Sequence, residues 1–349
     1  GHSFSSSEIL LSAGMSGLSA ANPDFKIIAA TQSGRPVIDY VGTTSPSKRH
    51  QYFGTPQGLP SHGFSFSSRL RLSNEPDDNG IWVAELPAPE GEAAPIVKLA
   101  AIEGSNLNGG TLTIAKPIAL AQNASLNGAL LATIEDSDEN DFNNEKGIWA
   151  LDANFGATLI AKSGDSAPGS SDPLISLGQP SVDGEGNVYF WASLQNANEE
   201  EGLYQYSNGI LNLLITSEQS VDIFGTNRRF NSFMDPVVGN DGDLAVHAVE
   251  SDGNLKTILA RSVTGEWSII AQTGLQAPGT ATGVAFDLLS FPIINRAGHI
   301  AFQATLKGLG DSISDTTDTG AWATDVNGAV VLVAREGDTF EVKPGFPAT

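Results

Sequence analysis

The chain has 349 residues, no cysteine, and a formal net charge of −22 from 18 Lys+Arg against 40 Asp+Glu. The lack of cysteine excludes a disulfide framework, thiolate chemistry and Cys-ligated zinc. The charge argues against nucleic acid and anionic membrane surfaces, which need clustered cations, and favours cationic partners or metal ions.

No run of about 18 apolar residues is present, so no transmembrane helix is expected. Gly1-His2 reads as the remnant of a tag, and the chain is taken as a mature form without a signal peptide. An acidic, Cys-free chain rich in small polar residues fits a secreted, periplasmic or outer-surface bacterial protein, with a cytoplasmic one as the alternative.

In chain order, the N-terminus opens with two strand-length runs, Glu8 to Ser12 and Phe25 to Thr31. Repeats of a four-run unit follow over residues 36–104, 105–165, 166–218, 219–274 and 275–338. Each ends on a short apolar run: Leu99-Ala100-Ala101, Leu159-Ile160-Ala161, Leu213-Leu214-Ile215, Ile269-Ile270-Ala271 and Leu332-Val333-Ala334. Ile27-Ile28-Ala29 is the same mark at the N-terminus, and the mean step from Ile27 to Leu332 is about 61 residues.

A second mark precedes the first: Gly80-Ile81-Trp82, Gly147-Ile148-Trp149, Gly202-Leu203-Tyr204 and Gly320-Ala321-Trp322, with Asn254-Leu255-Lys256 read as the fourth repeat's replacement. A third precedes that, as in Gly186 to Phe190, Gly242 to Val246 and Gly298 to Phe302. Short runs bounded by Gly, Asn and Asp are hairpin strands, and no helical period with caps is present.

Four antiparallel strands repeated at this length predict an all-β fold, a single β-propeller domain over 1–349 whose blades bury each other's faces. Six blades are favoured. The ring would be closed by the two termini, with residues 3–35 and 339–349 sharing one blade; five blades is the alternative.

The repeat resembles a family of bacterial secreted tandem-repeat proteins that carry an Asn-x-x-Gly-x-x-Ala-Phe motif. Asn295, Gly298, Ala301 and Phe302 match it completely, while Asp183 and Gly239 stand where Asn is expected. The family's Gly-Asp-x-Ala-Pro-Gly segment is matched by Gly164, Asp165, Ala167, Pro168 and Gly169, and by Gly274, Ala277, Pro278 and Gly279. The resemblance implies a surface-associated propeller and no particular activity.

Chemistry is expected at the mouth formed by loops joining second to third strands and by loops between blades. The former, at 74–79, 135–146, 195–201, 250–253 and 307–319, hold 17 of the 40 acidic residues. Among them Asp136, Asp138, Asn140 and Asp141 form a candidate calcium loop. The helical-hand pattern fails there, because Asp141 stands at the required glycine and Gly147 at the bidentate acid.

The inter-blade loops carry His50, Tyr52 and His62, and elsewhere Arg228 and Arg229. His and Tyr can act as base and acid while Arg neutralises a sugar carboxylate. A nucleophile elbow, a zinc-binding helix motif and a phosphate loop are all missing from the sequence.

The first expectation is a monomeric binding or scaffold propeller holding a glycan, peptide or protein at its mouth, with calcium as the one cofactor considered. A polysaccharide lyase or glycoside hydrolase acting in the central channel is the alternative, and a purely structural surface module the third.

Overall fold

A computed structural model describes the strands between residues 9 and 102, with side chains at only a few positions there (65, 67, 79–83 and 100–102). It further describes residues 103–107, 112–135, 145–196, 200–217, 219–223, 225–308, 313–314 and 316–339, and two short strands at 341–343 and 346–347. The described residues are all-β, with no helix among them, and none of them forms a helix able to cross a membrane. The chain divides into two compact units, Gly1–Ser163 and Gly164–Thr349.

The first unit holds two hairpins, Ile9–Gly14 with Asp24–Ala30 and Val37–Ile38 with Thr44–Ser45, and two larger sheets. Sheet I runs from Arg49 to Ile102 and sheet II from Asn106 to Lys162. The second unit holds sheet III (Leu174–Thr216), sheet IV (Phe230–Gln272) and sheet V (Ala285–Arg335). Every sheet is an antiparallel meander of four strands in sequence order, and sheet II adds the short strand Asn106–Leu107 at its start.

The first strand breaks in two in sheets I, III, IV and V. Each break holds a proline: Pro56, Pro180, Pro236 and Pro292, while Pro117 sits at the irregularity of the continuous strand in sheet II. A proline has no N–H to give to the ladder, so the strand must bend or bulge there.

Within each unit the core lies between consecutive sheets. In the first unit Ile81, Val83 and Ala101 of sheet I meet Leu130, Ala132 and Trp149 of sheet II. In the second, Tyr189, Leu203 and Ile215 of sheet III meet Phe230, Phe233 and Val246 of sheet IV. Ala245, Ile258 and Ala271 of sheet IV in turn meet Phe286, Phe302 and Trp322 of sheet V.

The Gly-x-aromatic mark is a packing device. Trp82, Trp149, Tyr204 and Trp322 are essentially inaccessible on third strands. Residues i and i+2 share a face of a strand, so each ring lies back over the glycine two places before it. A Cβ on Gly80, Gly147, Gly202 or Gly320 would come within 2.4, 2.6, 2.9 or 2.6 Å of the ring. In all five sheets one extra residue of the fourth strand bulges at the same place, opposite Ile81/Trp82, Ile148/Trp149, Leu203/Tyr204, Ile258/Leu259 and Ala321/Trp322.

That register corrects the sequence reading of the fourth repeat. Its equivalent segment is Thr257-Ile258-Leu259, three residues beyond Asn254-Leu255-Lys256. Where the ring is lost, so is the glycine, because the space is free for a larger side chain.

The Ala-Pro-Gly segment completes the device in sheet V. The Pro278 carbonyl accepts the Trp322 indole N–H at 3.0 Å. Gly279, at φ 78°, lies where a Cβ would approach Leu332 Cβ to 2.6 Å.

The Asn-x-x-Gly mark is a hairpin turn. Asn295 Oδ1 accepts the amides of Ala297 and His299, and Asp183 does the same for Glu185 and Asn187. The glycine at the fourth turn position takes the left-handed region, as at Gly298 (φ 80°). Neighbouring turns are also joined: Gly184 N–H donates to the Asn240 carbonyl, and Asn240 N–H to the Arg296 carbonyl. Gly239 departs from Asn at this mark because the sheet V turn closes on it, with the Asn295 carbonyl 3.3 Å from where its Cβ would stand.

Substituting Gly320→Ala drives a methyl into Trp322 and should cost about 1–3 kcal/mol. The pair Gly320→Thr with Trp322→Leu, which copies sheet IV, should cost less than the sum of its single changes. Urea unfolding of the four proteins checks this coupling.

Candidate functional site

Sheet IV breaks the repeat at one end, and polar groups collect there. Three positions that are leucine, glycine and a strand-four residue in sheets III and V become Glu250, Thr257 and Gln272. All three are buried, at 1%, 0% and 4% exposure. An ionised carboxylate is stable in such a place only when paired and hydrogen-bonded. Glu250 meets that need on both oxygens: Arg228 holds Oε1 at 2.6 Å and Gln272 Nε2 donates to Oε2 at 2.5 Å. Gln272 also donates to Thr257 Oγ1 at 3.0 Å.

The arginine comes from the junction between sheets III and IV. A hairpin, Val221–Ile223 with Thr226–Arg228, stands before sheet IV where the Ala-Pro-Gly segment precedes sheets III and V. Its Ile223 is buried against the sheet III–IV core that contains Leu259. Absence of the Ala-Pro-Gly segment, loss of the ring and arrival of the Arg–Glu–Gln–Thr cluster coincide at sheet IV, while sheets I and II keep their tryptophans without that segment. The Arg228 side chain stays one-third exposed, while its Nε is buried without a hydrogen-bond partner. Arg229 follows it on the surface, its carbonyl accepting the Ser251 amide at 2.8 Å.

His247 lies on the second strand of the same sheet, 8% exposed, with its ring edge-on to Phe291 of sheet V at 5.6 Å. Its Nδ1 is buried without a partner. Burial, and then the charge of Lys256, hold its pKa below the ordinary histidine value.

At the opposite end, the turns of sheets IV and V enclose a groove of about 260 Å³ lined by Asp243, Ser262, Ser268, His299, Thr324 and Asp325. Its acids serve the turns: Asp243 Oδ1 accepts the Val263 amide, and Asp325 Oδ1 accepts those of Asn327 and Ala329. These turn amides, together with nearby His299, hold the Asp325 carboxyl below its usual pKa.

Of the residues singled out from sequence, Arg228 and Arg229 are thus brought beside Glu250 and the 250–253 loop. His50 and Tyr52 lie on the first strand of sheet I, Arg49–Phe53, where His50 holds the register position of Phe230 and Phe286. The side chains of both lie outside the described residues, as do His62 and the proposed calcium loop Asp136, Asp138, Asn140 and Asp141. No group of three or more His, Asp or Glu suited to a metal occurs among the described residues. Glu250, Thr257 and Gln272 escaped sequence reading. The available signal was that Thr257-Ile258-Leu259 stands where the other four sheets have Gly-x-aromatic.

The residues that repeat thus build the sheets, and the residues that depart from the repeat make this corner; the described fold is that of a repeated four-stranded β-meander protein. A family model covers residues 5–349, and the chain belongs to that family, DUF7453, a family of unknown function. No curated protein matches it.

Among solved structures, a Hadza microbial sialidase is similar at TM-score 0.40 and 12% identity, over 90% of this chain and 66% of that one. Trypanosoma rangeli sialidase is similar at 0.42 and 12%, over 88% and 52%. A GH43 β-1,3-galactosidase is similar at 0.36 and 13%, over 87% and 98%. The chain spans about two thirds and half of the two sialidases, and likeness at this level transfers no chemistry.

Glu250→Ala should cost about 3–5 kcal/mol, because it strips Arg228 and Gln272 of their partner in a buried place; chemical denaturation measures it. His247 binds its proton less readily folded than unfolded, so its contribution is intact above about pH 6.5 and is lost as the pH falls below that value. His247→Leu should flatten that part of the stability–pH curve, read by thermal melts from pH 8 to 5.

Proposed function

We propose that the protein is a β-propeller binding module of the bacterial periplasm or outer surface, holding a glycan, peptide or protein at the sheet ends that carry Arg228 and Arg229. The observation behind this reading is the division of labour among polar residues. Those that recur from sheet to sheet are occupied in turns and ring contacts, and the Arg228–Glu250–Gln272–Thr257 cluster, which departs from the repeat, meets solvent through Arg228.

Two observations, one in each unit, support a ring with a sixth blade. On sheet V, Ala301, Ala321, Ala323 and Ala334 are only partly buried, and Gln303 is exposed. On sheet IV the equivalent residues Ala245, Ile258, Ala260 and Ala271 are buried against the next sheet. A hollow of about 450 Å³ lies on that open face of sheet V. In the first unit, the N-terminal hairpin carries the same bulge between Leu10 and Leu11 that marks strands three and four of every sheet. A closing blade that includes this hairpin and covers sheet V accounts for both, because a propeller blade needs a neighbour on each face. Calcium held by Asp136, Asp138, Asn140 and Asp141 would brace one loop of the binding end.

Ala321→Arg tests the ring. Under a covering sixth blade it buries a charge and should cost more than about 2 kcal/mol, whereas on an open surface the change stays within about 0.5 kcal/mol. A glycan array and peptide pull-downs test binding. Release of reducing ends or of unsaturated uronate from any arrayed polysaccharide would replace the binding reading by the hydrolase or lyase one.

A further inference from the structure

An asparagine followed by glycine carries its own nucleophile: the glycine amide nitrogen, with no side chain in the way, can reach the asparagine Cγ. Five such pairs occur, Asn79-Gly80, Asn108-Gly109, Asn127-Gly128, Asn208-Gly209 and Asn327-Gly328, and all but Asn108-Gly109 lie among the described residues.

Three of these four are locked. Asn79 Nδ2 donates to Glu103 Oε2 at 2.8 Å, its carbonyl accepts the Glu103 amide at 2.8 Å, and Gly80 lies under the Trp82 ring. Asn127 N–H donates to Asn123 Oδ1 at 3.1 Å, its carbonyl accepts the Asn123 amide at 2.8 Å, and Gly128 is buried at the start of its strand. In the last pair the glycine amide itself is taken: Gly328 N–H donates to the Asp325 carbonyl at 3.0 Å, and Asn327 N–H to Asp325 Oδ1 at 2.8 Å.

Asn208-Gly209 is the two-residue turn between strands Glu201–Ser207 and Ile210–Thr216 of sheet III, closed by the pair Ser207 and Ile210. Both turn residues have positive φ, 52° and 79°, as a hairpin of this length requires. Both are exposed, and nothing stands within 4 Å of where a Gly209 Cβ would lie. Neither the Asn208 side chain nor the Gly209 N–H makes a hydrogen bond among the described residues. Bringing the Gly209 nitrogen onto Cγ needs rotation about the Asn208 ψ. At this tip only the turn itself opposes that rotation, whereas at the other three pairs the bonds above must break first.

We propose that Asn208-Gly209 is a site of spontaneous deamidation that reacts ahead of the other described pairs in the folded protein. Gly209 N gives up its proton to hydroxide and bonds to Asn208 Cγ. The Cγ–Nδ2 bond breaks, and the departing amide takes back a proton and leaves as ammonia, giving a succinimide. Water then opens one ring carbonyl or the other, to aspartate or to isoaspartate, so the net change is one water consumed and one ammonia released. Either product adds a carboxylate to a chain already at −22. Isoaspartate also lengthens the turn backbone by one carbon, which strains the Ser207–Ile210 closure. The tip of this hairpin therefore changes charge and shape with age.

Ageing the full chain at mildly alkaline pH, followed by peptide mass mapping and isoaspartate-specific labelling, tests this. Asn208 should convert at least about tenfold faster than Asn79, Asn127 and Asn327, the factor by which one or two retained hydrogen bonds hold back ring closure at those pairs. In urea the four rates should converge. Asn208→Gly keeps the turn, since glycine takes positive φ freely; it should remove the acidic species that appears on ageing and leave the melting temperature unchanged. Conversion of Asn79, Asn127 or Asn327 as fast as Asn208 in the folded chain overturns the proposal. So does an Asn208 that stays intact when folded over a time in which the chain in urea converts. Rates that keep the folded order in urea overturn it as well, because they would place the cause in neighbouring residues along the chain and not in the turn.

Discussion

A large ring lying on a bare backbone position organises these sheets. In four of the five sheets the third strand places an indole or phenol against the glycine two residues earlier, and a methyl group there would overlap the ring. Burying a tryptophan removes roughly 200 Å² from water, on the order of 5 kcal/mol of transfer free energy. A four-stranded sheet has two faces and no means of covering both, so the rings are capped by a neighbouring sheet, Trp149 by sheet I and Trp322 by sheet IV. In sheet V the cap is specific: a proline carbonyl takes the indole N–H, and a glycine settles on the partner leucine. Glycine and ring are two parts of one contact and recur together in four sheets, whereas the bulge is shared by all five and the proline loop precedes only sheets III and V.

In sheet IV this contact is given up, and its neighbours change with it. Sheet IV has neither the proline loop nor the indole, and Leu259 takes the ring's place. The glycine then has no reason to remain, and Thr257 fills the space. Its hydroxyl needs a partner in the interior; Gln272 supplies one, Glu250 engages Gln272, and Arg228 neutralises Glu250. The outcome is a charged group at the surface held by a buried chain of bonds. Nothing in this chain of polar groups helps the sheet more than the apolar version in its neighbours would, since a buried ion pair rarely out-stabilises hydrophobic packing. Departures from a consistent repeat at a cost of this kind are where function is to be sought.

The joints between sheets also differ. Sheets III and IV are tied by Asp235, which accepts from both the Gln179 amide and the Trp191 indole at 2.7 Å. At the corresponding place between sheets IV and V stand His247 and Phe291, in ring contact, with an imidazole nitrogen left unpaired. The first joint is polar and satisfied, while the second depends on histidine remaining neutral.

Much of the framework was legible in the residues. Alternating apolar runs between Gly, Asn and Asp specify strands and hairpins because side-chain direction alternates along a strand and only some residues tolerate positive φ; Asn295 and Gly298 are read correctly on that basis. The Gly-x-aromatic mark was visible as a recurrence, but not its cause, which lies in a ring folding back over its own strand. The fourth repeat was misplaced by three residues because Thr257-Ile258-Leu259 keeps the shape of the mark and none of its letters. Arg228 could be picked out as a cation in an acidic chain. That it shares a site with residues 22 and 44 positions away was decided by the tertiary structure alone, since hydrogen-bonded register and a hairpin insertion bring Glu250 and Gln272 beneath it, and spacing along the chain encodes neither distance nor burial.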